Sequence, residues 1–132
     1  MSEIGDLIKS LPDLIKLNPA TSDDINSAER ELGIQFAVEY KEYLKAFGAI
    51  LANGIELTGI AKAKYRNVVH VTKQEWELNP KVPNTMYVVE NAGIDGIIIW
   101  QDQDGTIYQS QPNVAPVKIE ESLYNYIANS VK

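Results

Sequence analysis

The chain has 132 residues, a net charge of −6, a single histidine and no cysteine. That length suits one domain of about 100–150 residues, spanning 1–132. The missing cysteine excludes disulfides and thiolate metal sites and agrees with a reducing compartment. The chain contains no run of about 18 apolar residues to cross a bilayer.

The first residues, MSEIGDLIKSLPDL, mix Glu3, Asp6 and Lys9 into apolar positions, unlike a signal peptide, so a cytoplasmic protein is expected. Ile4, Leu7, Ile8 and Leu11 have helical spacing, and Pro12 should break that helix. The patch Leu14, Ile15 and Leu17 reads as a second helical piece before the Asn18-Pro19 turn. Thr21 suits an N-cap, with Asp24 in the capping-box position and Asp23 beside it in the first turn. Ile25, Ala28 and Leu32 then share a face, and Gly33 fits a left-handed cap.

A further helix is expected over about Ala37 to Ala46. Its stripe of Phe36, Tyr40, Tyr43, Leu44 and Phe47 reads as core, Glu42 and Lys45 as a weak surface pair, and Gly48 as the stop. After Gly54 the period changes to two, and Ile55 and Leu57 predict a half-buried strand. Lys62, Lys64 and Arg66 surround Tyr65 in a solvated loop, too few charges for nucleic acid. Asn67 can cap a helix through about Leu78, with Val68, Val71 and Leu78 on one face. The β-branched VVHV keeps a strand open there.

The remainder predicts an antiparallel meander. Met86–Asn91 is one strand, and Asn91 to Gly96 a turn. The apolar run Ile97–Trp100 is a central strand covered on both faces. Asp102 to Gly105 turns the chain into Thr106–Ser110. Pro112 and Pro116 confine Val114–Val117 to an edge or loop. The last helix is expected from about Glu120 to Ser130, with Leu123, Ile127 and Val131 inward and Glu120 and Glu121 in its first turn.

Catalytic chemistry finds no footing. His70 stands in an apolar segment, and phosphate loops, GxSxG elbows and HExxH are absent. Asp102-x-Asp104-Gly105 does not continue as a calcium loop, since Thr106, Ile107 and Asn113 stand where the third oxygen ligand, the sixth-position glycine and the twelfth-position glutamate belong. No catalytic residue, metal or cofactor is therefore expected. Residues 1–81 carry 12 acidic and 10 basic side chains, whereas 82–132 carry 6 and 2, with no Lys or Arg between Val82 and Val117. Glu90, Asp95, Asp102 and Asp104, with Tyr87 and Tyr108, are the candidate partner-binding residues on that acidic half. Asp95 should lie at the opposite end of the sheet from Asp102 and Asp104. Charge of this sign favours a basic partner and disfavours direct nucleic-acid binding.

Thr21, Ile25, Glu29, Leu32-Gly33, Tyr40-Lys41-Glu42-Tyr43-Leu44 and Gly48 together resemble the SUKH superfamily, bacterial immunity proteins related to fungal cell-wall regulators of the Smi/Knr type. Ala37 stands where the family carries a corner proline. The segments Gly54–Ile60, Val69…Thr72 and Leu123…Ile127 look similar too. The resemblance implies a single α+β domain with helices around a central, mainly antiparallel sheet. It also implies a monomer or weak homodimer, without enzyme activity, that binds a cognate toxin domain, often a nuclease. A regulatory or scaffolding module, as in the fungal relatives, is the alternative. The motif marks the fold and assigns no contact residue.

Overall fold

The computed structural model describes residues 3–130. In order the elements are α1 (Glu3–Lys9), β1 (Ile15–Lys16), α2 (Ser22–Leu32), α3 (Val38–Phe47), β2 (Ile50–Ala52) and β3 (Ile55–Glu56). A short 3-10 turn (Lys64–Arg66) leads into α4 (Val68–Leu78), β4 (Tyr87–Asn91), β5 (Ile98–Gln101), β6 (Ile107–Ser110), β7 (Val117–Glu120) and α5 (Leu123–Ser130). This is the expected α+β fold, with helices around antiparallel sheet that is divided in two, ordered β1-β2-β3 and β4-β5-β6-β7.

Local signals in the first half act as the sequence suggests. Thr21 and Asp24 exchange both bonds of a capping box, and Gly33 closes α2 in the left-handed region at φ 69°. Phe36, Tyr40, Tyr43, Leu44 and Phe47 are all buried, so the stripe is core. Tyr40, Phe36 and Tyr87 stack edge to face or tilted, with centroids 4.8–5.0 Å apart. The ion pair on this face joins Lys41 to Glu29 at 3.3 Å, across two helices, where Glu42–Lys45 was expected.

The two sheets meet at Thr58. Its N–H donates to the Val89 carbonyl and its hydroxyl to the Val88 carbonyl. The same hydroxyl bonds Tyr40, while Tyr43 donates to the Thr58 carbonyl and accepts from the Ile50 N–H. The aromatic helix thus supplies hydroxyls as well as apolar area, leaving no buried phenol unpaired. From α4, Thr72 accepts from Val88 N–H and the Trp76 indole donates to the Met86 carbonyl. These side chains close the β4 edge that β5 does not pair with, which would otherwise template aggregation.

Several boundaries differ from expectation. Leu14 to Leu17 contributes the short strand β1 and no second helical piece, and Ile15 is exposed. The unforeseen β2 pairs with β3 through Asn53-Gly54, both at positive φ, the geometry of a tight hairpin. Leu78 is exposed at the last position of α4. At 117–120 an edge strand, β7, runs on from the edge or loop expected at Val114–Val117 and takes up Glu120, the expected start of the last helix. Glu120 ends β7 and α5 begins at Leu123, so neither Glu120 nor Glu121 lies in its first turn. Instead Glu39 of α3 reaches across and accepts from the Leu123 and Tyr124 N–H groups, each at 2.8 Å. That carboxylate meets the positive end of the helix dipole from 84 residues away in sequence. Val131 lies outside the described residues.

Candidate functional site

The candidate residues separate by depth. Tyr87 is fully buried, donating to Gln101 Oε1 and accepting from the Ala37 N–H, and its hydroxyl is held well above its ordinary pKa by desolvation. Glu90 is also buried. Its carboxylate accepts from the Glu56 N–H at 2.8 Å and the Tyr126 hydroxyl at 2.5 Å. A bulge between Val88 and Glu90 turns this carboxylate off the regular alternation of β4 and toward α5. Burial raises the Glu90 pKa first, and its two hydrogen bonds oppose that shift. Tyr87 and Glu90 are therefore corrected from recognition residues to core polar links. Alternation on a meander strand cannot show such a bulge.

Asp95 is exposed in the β4–β5 turn, at positive φ. Asp102 and Asp104 sit in the β5–β6 turn, so the structure does not bring all three together. Asp102 is spent on its own hairpin. Its Oδ1 accepts from the Asp104 and Thr106 N–H groups, and its Oδ2 from the Tyr108 hydroxyl at 3.0 Å. Desolvation, and then Asp102 itself, hold the Tyr108 hydroxyl protonated. Asp104 and Asp95 remain exposed, and Tyr108 is half-buried beside Trp100 on the sheet.

Among the described residues, no three His, Cys, Asp or Glu side chains gather where they could hold a metal ion. His70 is exposed on α4. No helix is long and apolar enough to cross a membrane. Two concavities were not anticipated. One, of about 290 Å³, lies between the end of α4 and β5–β6, lined by Glu75, Leu78 and Trp100. Burial raises the Glu75 pKa. The other, of about 540 Å³, lies between Leu17–Ala20 and Ile60–Arg66. The sequence signal that could have marked it is Gly48 and Gly59. A Cβ at Gly59 would collide with the Gly48 carbonyl oxygen, and one at Gly48 with that of Asn18, so both are needed for these backbones to converge.

A family model described as SUKH_5, SMI1-KNR4 cell-wall, matches residues 1–132. The chain belongs to this family. A crystal structure of a protein from Pseudomonas syringae pv. tomato superposes with a TM-score of 0.78 at 17% identity, covering 98% of this chain and 96% of that one. At that identity the likeness concerns the fold alone. No curated protein matches the sequence.

Proposed function

We propose that this SUKH protein is a cytoplasmic immunity protein that binds and neutralises a polymorphic toxin domain, a basic nuclease, by direct contact and without catalysis of its own. The observation that carries the reading is the sheet half from Val82 to Val117, which has no Lys or Arg and presents Asp95 and Asp104 at its two exposed hairpin ends. A surface of one sign accelerates capture of a partner of the other and rejects wrong partners. Asp102 contributes by fixing the hairpin that displays Asp104, with Tyr108 beside it. Inhibition needs only such a surface, in keeping with the absence of a nucleophile–base constellation in the sequence.

Co-expression with the toxin domain encoded beside it should restore growth, and the double variant Asp95→Lys, Asp104→Lys should restore less. Growth arrest that persists with every neighbouring toxin domain would remove this reading. The cell-wall description of the family favours a second one, a regulatory module that binds an endogenous protein. A gene neighbourhood without a toxin, together with a cell-wall defect on deletion, would decide for it.

A further inference from the structure

Arg66 stands out because the fold gives it nothing to bind. Its guanidinium makes no hydrogen bond or ion pair among the described residues, and its Nε and Nη2 are shut off from solvent without an acceptor. Nε and Nη2 form the side edge of the guanidinium, the fork that fits a carboxylate in bidentate fashion. Its backbone, by contrast, is fixed. The Arg66 N–H donates to the Ala63 carbonyl and the Arg66 carbonyl accepts from the Gly59 N–H.

The residue lines the 540 Å³ groove, whose walls are apolar: Leu17, Pro19, Ala20, Ile60 and Ala63, with the exposed ring of Tyr65 at the rim. Lys62 adds a second positive charge to the lining. The one acid there, Asp24, is engaged in the α2 capping box with Thr21. Arg66 is half-buried, and the two nitrogens closed to solvent carry a desolvation cost that no internal contact offsets. Retaining it makes physical sense where a ligand completes it.

We propose that this groove binds the C-terminal carboxylate of a polypeptide ending in an apolar residue. The carboxylate enters the groove against Arg66, whose Nε–Nη2 edge is closed to solvent in the unliganded chain and swings out to receive it, and the terminal side chain packs on Ile60, Ala63 and Tyr65. A phosphate dianion is the poorer fit, because it needs several donors and finds mainly apolar wall. The site shares no residue with the acidic hairpin ends, so it stands or falls apart from the toxin reading.

The test is titration of the full chain with N-acetyl-leucine, N-acetyl-leucine amide and inorganic phosphate, followed by amide NMR shifts and melting temperature. Saturable shifts at Ala20, Ile60 and Ala63 are expected with the acid, and at least about tenfold weaker binding with the amide. Arg66→Met should abolish the response and melt no lower than the natural chain. Arg66→Lys, which keeps charge without the fork, should bind about tenfold more weakly and decides the matter if the methionine variant fails to fold. Equal binding of the amide, undiminished binding by Arg66→Lys, tighter binding of phosphate, or no saturable response would each overturn the proposal.

Discussion

Two sets of charges are withdrawn from water in this protein, and they differ in whether the fold completes them. Glu29, Glu39, Glu90 and Asp102 each accept from backbone N–H groups, and together they tie α2 to α3, α3 to α5, and β3 to β4, and lock the β5–β6 turn. Arg66 and Glu75 are at least partly withdrawn, line concavities and form no such links. The first set is structural, because its hydrogen bonds are internal and directional. The second is where a partner can add what the chain lacks. The same contrast divides the acidic hairpin, where Asp102 holds the turn and Asp104 is left for solvent or partner.

Glu39→Ala gives the largest expected break in that contrast. It strips acceptors from two helix N–H groups and from Gln101 Nε2, and should cost about 3 kcal/mol in urea unfolding. A loss below ~0.5 kcal/mol would mean α5 is capped by other means. Tyr43→Phe removes a bond given to Thr58 and one received from Ile50, and should cost about 2 kcal/mol by the same measurement.

Glu90 allows a sharper test through pH. Its folded pKa is raised, so the folded state binds its proton more readily than the unfolded chain does. Its contribution is fully present below the ordinary carboxylate pKa and is lost as pH rises through the folded value. The stability of the natural chain relative to Glu90→Gln should therefore grow as pH falls from neutral toward that range. A gap that shrinks on acidification would show the carboxylate to be stabilised as an ion. Smallest of all, Asp104→Lys should shift stability by less than about 0.5 kcal/mol, since its side chain is exposed and makes no internal bond. A larger loss would place Asp104 with the structural set.

How far the sequence could be read follows the same line. Elements set by local chemistry were legible: the Thr21–Asp24 box, the Gly33 cap, the Asn67-led helix and the continuous apolar run of β5. Elements set by distant partners were not. β7 is a strand because β6 offers it an edge, and α5 starts late because Glu39 caps it from another helix. Burial of Tyr87 and Glu90 depends on the helices that cover β4, which no pattern on that strand reveals. The Arg66 groove depends on two glycines that bring separate segments together, while the basic cluster by itself resembles any solvated loop.

Capture of a basic partner by the proposed acidic surface would show in the association kinetics. The rate of binding to the purified neighbouring toxin domain would be measured by stopped flow as salt rises from about 0.05 to 0.5 M, a range over which the Debye length falls from about 14 to 4 Å. A fall of about tenfold or more is expected for the natural chain, and a shallower dependence for the double variant Asp95→Lys, Asp104→Lys. A rate that ignores salt, or an unchanged slope in that variant, would contradict it.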